Sequence, residues 1–176
     1  GQKTSKFEEL HFLKPGVTWS PDGQQLALSV KSGSSDALMI ININDTKRVI
    51  KKTFDLKAIY KPQWNPLNNS IAFIGHNNFS SDVFIYDLDT DILQQITNDV
   101  YSDIQISWAP NGEELLLVSD RSDNISSPYW YTDIISITGD EFNNYDIYQL
   151  NINGSLVRLT TTTFNESYPS FSPDGT

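Results

Sequence analysis

The chain contains no cysteine in its 176 residues. That absence excludes a disulfide framework, a Cys-ligated zinc site, an iron–sulfur cluster and a thiol nucleophile, and it leaves the redox compartment open. Histidine is nearly as scarce, with only His11 and His76, so acid–base catalysis has little to draw on. Basic residues are outnumbered, 12 Lys and Arg against 22 Asp and Glu, for a net charge of −10 and a pI near 4.4. Such a charge repels phosphate backbones and anionic headgroups, so neither nucleic acid nor a membrane surface is an expected partner. No apolar run approaches the roughly 20 residues of a membrane span, so no membrane insertion is expected. The opening stretch, residues 1–9, is too polar for a signal peptide, which places the chain in the cytosol or its targeting segment outside this sequence. No segment carries a helical hydrophobic period, and neither Gly-x-Ser-x-Gly nor a phosphate-cradling glycine loop occurs.

What the chain does have is a repeat. Trp19-Ser20-Pro21-Asp22-Gly23, Trp64-Asn65-Pro66-Leu67-Asn68, Trp108-Ala109-Pro110-Asn111-Gly112 and Phe171-Ser172-Pro173-Asp174-Gly175 place an aromatic two residues before each proline, and the prolines stand 45, 44 and 63 residues apart. Proline presets φ for a turn, and the Asp-Gly or Asn-Gly that follows tolerates the positive φ that reverses the chain. After each of the first three turns comes an apolar triplet: Leu26-Ala27-Leu28, Ile71-Ala72-Phe73 and Leu115-Leu116-Leu117. A second hairpin then follows in every unit, over 38–43 with 48–53, 83–88 with 93–97, and 146–150 with 156–160. Four short strands per unit of about 44 residues predict an all-β fold, a β-propeller with four-stranded antiparallel blades. A β-sandwich is the weaker alternative, because nothing in a sandwich repeats an aromatic-x-Pro at fixed phase.

The motif 19–23, the Ile85-Tyr86 and Ile147-Tyr148 pairs, and the endings Ile96-Thr97 and Leu159-Thr160 resemble the TolB-like β-propeller repeat over residues 17–176. The resemblance implies that the strand bearing each motif aromatic is innermost, beside a central channel. It implies a bacterial-envelope setting, periplasmic or extracellular with the cytoplasm not excluded, and a role in protein contact. In related propellers the domain is an accessory to a peptidase, as in tricorn-type and prolyl-oligopeptidase-type enzymes. The expected organisation is a leader, linker or closing strand over 1–15, then a partial propeller over 16–176. Its blades fall at about 16–53, 61–97 and 104–160, the third carrying an insertion at 121–144, and the first strand of a fourth blade begins at 167. Three blades and a strand leave open edges, which predicts either a fragment of a longer propeller, the favoured reading, or self-association that completes the ring.

The chemistry expected of such a chain is non-catalytic, with no cofactor and no metal. The alternating carboxylates of Asp87, Asp89 and Asp91 begin like a calcium loop, but Ile92 and Asn98 stand where such a loop needs Gly and Glu, so the stretch reads as a hairpin connection. Asn-x-Ser/Thr sites at Asn44, Asn68, Asn78, Asn124, Asn153 and Asn165 matter only in a glycosylating source. The insertion is the strongest candidate for binding, since residues beyond a blade's length must leave the sheet as a loop. Its candidate contact residues are Asp123, Tyr129, Trp130, Tyr131 and Asp133, aromatics that can stack on an apolar anchor or a sugar beside carboxylates that select a cationic partner. The alternative is that residues 129–137 form structural cover. The sequence therefore points to a propeller module that binds a protein or peptide partner, with peptidase accessory and carbohydrate binding as the competing readings.

Overall fold

The computed structural model describes residues 16–121 and 144–175. The strand-forming runs of the three complete repeats each fold into an antiparallel sheet of four, and no helix occurs among the described residues. Blade 1 contains β1 (Val17–Trp19), β2 (Gln25–Ser32), β3 (Ser35–Asn42) and β4 (Val49–Thr53). Blade 2 contains β5 (Ala58–Trp64), β6 (Ser70–His76), β7 (Ser81–Asp87) and β8 (Ile92–Gln95). Blade 3 contains β9 (Asp103–Trp108), β10 (Glu114–Ser119), β11 (Asp146–Asn151) and β12 (Leu156–Arg158). Strand order within each sheet follows the chain, so sequential strands are neighbours joined by short turns, except for residues 120–145 between β10 and β11. The first strands contact one another across blades, β1 with β5 and β5 with β9, and form the inner wall of a partial β-propeller.

The Pro-Asp-Gly and Pro-Asn-Gly turns close as their chemistry requires. Gly23 (φ 67) donates its N–H to Ser20 O, and Gly112 (φ 68) to Ala109 O. The fourth motif repeats the turn, Gly175 N–H to Ser172 O, but the segment before it forms no ladder with β9, which it meets through the Tyr168 N–H donated to Gln105.

Strand alternation gives each blade two apolar faces, and the seams between blades hold the core. Ala27, Leu38 and Ile40 of blade 1 meet Ile59, Trp64, Ile71, Phe73 and Tyr86 of blade 2. The opposite face of blade 2, through Ala72, Ile74 and Val83, meets Ile106, Leu115, Leu117, Tyr148 and Leu150 of blade 3. Each inner-strand aromatic thus packs toward the preceding blade. The sequence predicts equivalent buried or half-buried places for the four, and three comply: Trp64 is 5% exposed, while Trp108 and Phe171 are half-buried. Trp19 does not; it is 55% exposed, because it lies on the face of blade 1 turned away from blade 2.

Polar contacts tie the seams at both ends. Asn65 Nδ2 donates to Gly112 O (2.8 Å), Trp108 Nε1 donates to Gln63 O (3.0 Å), and the Trp64 N–H donates to Thr18 Oγ1 (2.9 Å). A buried aspartate recurs at the start of each third strand as Asp36, Asp82 and Asp146. Asp36 Oδ2 accepts the N–H of Ile59 in the next blade's inner strand at 2.9 Å.

Candidate functional site

At one end of the blade stack, the second and third strands are joined by Gly33-Ser34 in blade 1 and by residues 77–80 in blade 2, but by residues 120–145 in blade 3. Both stems of that long connection are fixed where they leave the sheet. Ser119 still pairs with Asp146 across the β10–β11 ladder. On the outgoing stem Arg121 is 4% exposed. Its Nε donates to Ser119 Oγ (2.9 Å), Nη1 to Asp99 Oδ2 (2.7 Å) and Nη2 to Asp103 Oδ1 (2.5 Å), and the guanidinium lies 5.9 Å from the ring centroids of both Tyr101 and Tyr148. Asp120 accepts the Ser102 N–H at 2.7 Å. On the returning stem Asn144 Nδ2 donates to Thr162 O (2.7 Å), Tyr145 N–H to Asn165 Oδ1 (2.8 Å), and Arg158 Nη2 to Asp146 Oδ2 (2.6 Å).

The seam beneath these stems holds more negative charge than Arg121 neutralises. Asp82, Asp99, Asp103 and Asp120 converge there from blades 2 and 3. Burial works against the Arg121 guanidinium, but Asp103 and then Asp99 outweigh it and its pKa is raised. Burial lifts the Asp99 carboxyl above its ordinary range, with Arg121 opposing, and lifts Asp120, with the Ser102 N–H opposing. Asp82 is lifted furthest, to about 7, by burial first and by the neighbouring Asp103 second. Its Oδ2 accepts from Ser80 Oγ (2.9 Å) and Gln95 Nε2 (3.2 Å), whereas Oδ1 is buried without a well-formed hydrogen bond. Asp82, buried beside a second carboxylate, therefore holds a proton toward neutrality.

The candidate contact residues Asp123, Tyr129, Trp130, Tyr131 and Asp133 lie outside the described residues. Of the aspartates flanking the insertion, Asp120 is buried in its root. The Asp87, Asp89 and Asp91 carboxylates do not converge: Asp87 Oδ1 caps the N–H groups of Asp89 and Thr90, Asp89 takes Asn69 Nδ2 (2.7 Å), and Asp91 pairs with Lys52 (2.7 Å) and the Tyr86 hydroxyl. No group of three His, Cys, Asp or Glu among the described residues is placed to hold a metal ion. His76 ends β6 half-buried opposite Ala58, and His11 lies outside the described residues.

Sequence reasoning missed Asp82, Asp99, Asp103 and Arg121 as a unit. One signal was present: Asp36 and Asp82 follow their motif prolines by 15 and 16 residues, each before a run of strand residues, and Asp146 holds the same place beyond the insertion, 36 residues after Pro110.

No family model matches the sequence. Solved structures do match its fold. TolB from Acinetobacter baumannii superposes with a TM-score of 0.66 and 22% identity over 93% of this chain and 36% of its own. A protein assigned as TolB from Agrobacterium tumefaciens gives 0.64 and 18% over 93% of this chain and 57% of its own. The β-propeller domain of the trilobed protease from Pyrococcus furiosus gives 0.54 and 15% over 85% of this chain and 42% of its own. The chain therefore spans between about a third and somewhat over half of the length of these structures. No helix among the described residues is long and apolar enough to cross a membrane.

Proposed function

Taking as premise that the chain folds as part of a TolB-like β-propeller, we propose that it is a non-catalytic binding module for a protein or peptide partner in the bacterial envelope. The contact element is the segment 121–144. The observation that carries this reading is the anchoring of both stems by buried charge pairs, Arg121 with Asp99 and Asp103 on one side and Asp146 with Arg158 on the other. A rigid scaffold that holds the two ends of a long connection lowers the entropy lost when that connection engages a partner. The aromatic run 129–131 supplies apolar anchors, and the surrounding acidic surface favours a partner with basic residues.

The test is photo-cross-linking in cells, with a photoreactive residue at position 130 and a control at Asp22 on the opposite end of the stack. Discrete protein adducts at 130 and none at 22 support the reading; identical patterns at the two positions overturn it. Trp130→Ala should lower recovery of the partner by about tenfold with the melting temperature unchanged. If the substitution instead unfolds the protein, those aromatics are core. A second reading, substrate gating for a peptidase, draws on the likeness to the trilobed-protease propeller. Hydrolysis of an unfolded protein substrate by the full-length protein would favour it over the first.

A further inference from the structure

We infer that Lys61 and Tyr168, facing each other on the inner wall, form a receptor for a carboxylate group of a peptide partner. This deepens the reading of the chain as a binding module by naming the group that is recognised.

Three non-glycine residues among those described have a left-handed backbone: Lys61 (φ 48), Asp91 (φ 60) and Tyr168 (φ 56). Asp91 closes the turn between β7 and β8, where that conformation is routine. The other two sit in no such turn, and they face one another, with Lys61 Nζ 5.5 Å from the centroid of the Tyr168 ring. Side chains held in this strained region concentrate where position matters more than local comfort.

The local structure explains how Lys61 is aimed. β5 pairs Tyr60 with Ile74 and then Gln63 with Ala72, so Lys61 and Pro62 together stand against Phe73 alone. This bulge swings Lys61 out of the ladder's regular alternation. Gly16 buttresses it from blade 1, since a Cβ there would come within 2.7 Å of Lys61 Cα. Tyr168 is fixed from the other side by donating its N–H to Gln105 Oε1 on β9. That bond leaves the amide's Nε2 end as a donor which no contact among the described residues uses.

Charge pairing singles out the same lysine. Of the basic side chains that are buried or half-buried among the described residues, Lys52 pairs with Asp91, Arg121 with Asp99 and Asp103, and Arg158 with Asp146. Lys61 alone has no carboxylate there, in a chain with 22 acidic residues. Burial draws its pKa down, which marks an ammonium short of compensating charge. A carboxylate suits this ammonium better than a phosphate, because the chain's net charge of −10 disfavours a multiply charged anion. The Tyr168 ring, 82% exposed, offers a free surface for the apolar side chain next to that carboxylate.

The experiment uses the full-length protein with 13C-labelled lysine Cε groups, titrated with acetyl-Ala-Ala-Phe bearing a free carboxylate, its C-terminal amide, and acetyl-Ala-Glu-Phe amide. The Lys61 resonance should move saturably with the free-carboxylate peptide and stay still with the plain amide. A response to the Glu peptide as well means that a side-chain carboxylate suffices; no response restricts the receptor to chain termini. Lys61→Met should weaken carboxylate-dependent binding by about tenfold while Lys61→Arg retains it, both with unaltered thermal unfolding. Equal responses to free and amidated peptide, or full binding by Lys61→Met, overturn the inference. If Lys61 stays silent while adducts at position 130 persist, this inference fails and the binding-module reading stands; loss of both ends both.

Discussion

Replacing Asp82 by Asn should make the protein more stable at neutral and alkaline pH, and the gain can be worked from the seam. Asp82 is fully buried, with Oδ1 lacking a well-formed hydrogen bond and Asp103 close by, so its carboxyl keeps a proton up to about pH 7 in the fold. In the unfolded chain the same group releases its proton near 3.8. Between those pH values the folded state binds more protons than the unfolded state, so stability falls as pH rises. Below about 4 the penalty is absent, and above about 7 it is complete. Each pH unit in the window costs up to about 1.4 kcal/mol, or about 4 kcal/mol across it as an upper bound. Asn keeps an acceptor for Ser80 and Gln95 while removing the charge. Urea unfolding of wild type and Asp82→Asn at pH 5, 6, 7 and 8 reads the effect. Asp99 and Asp120 titrate in both proteins, so the difference between the two curves isolates Asp82. That difference should grow in favour of the variant by up to about 1.4 kcal/mol per pH unit from pH 5 to pH 7 and level off above it. Parallel curves, or a variant that is worse by the same amount at every pH, would refute the argument.

Two further outcomes follow from the packing. Trp64→Ala should cost about 3–5 kcal/mol because it empties the seam between blades 1 and 2, whereas Trp19→Ala in the same chain should cost less than about 1 kcal/mol; chemical denaturation compares them directly. Arg121→Met should cost about 3–5 kcal/mol by leaving Asp99 and Asp103 buried without their cation, and the deficit seen in thermal melts should shrink as falling pH protonates Asp99, whose carboxyl burial lifts above its ordinary range.

The blades were legible in the sequence because their signals are local. Proline, Asp-Gly or Asn-Gly and an apolar triplet lie within about ten residues, and the hairpins they encode need no distant partner to be recognised. The exposure of Trp19 was not legible in this way. Its motif is the same as that of Trp64, and the difference lies in whether a neighbouring face covers it, which no local pattern states. The insertion's existence was readable from the break in the period, but its anchoring was not. Arg121 finds Asp99 and Asp103 from 22 and 18 residues away, Asp103 on the neighbouring strand β9 of its own blade and Asp99 in the connection that leads into it. Pairings at that range depend on which strands lie side by side and in what register. Lys61 escaped notice for a related reason, since a bulge and a missing counter-ion appear only once strands are in register.

The direction in which the motif aromatics point bears on how the chain is made. Trp64 packs back onto blade 1 and Trp108 back onto blade 2, so the bulky half of each seam belongs to the later-synthesised blade. A blade leaving the ribosome therefore meets a finished surface waiting to receive its tryptophan, and N-terminal units fold first during synthesis. Growth in this direction covers the far face of each blade as the next one arrives. Moving the aromatics to the opposite faces would preserve the same contacts in the finished protein, yet would oblige every new blade to wait, with its large ring exposed, for a neighbour not yet made.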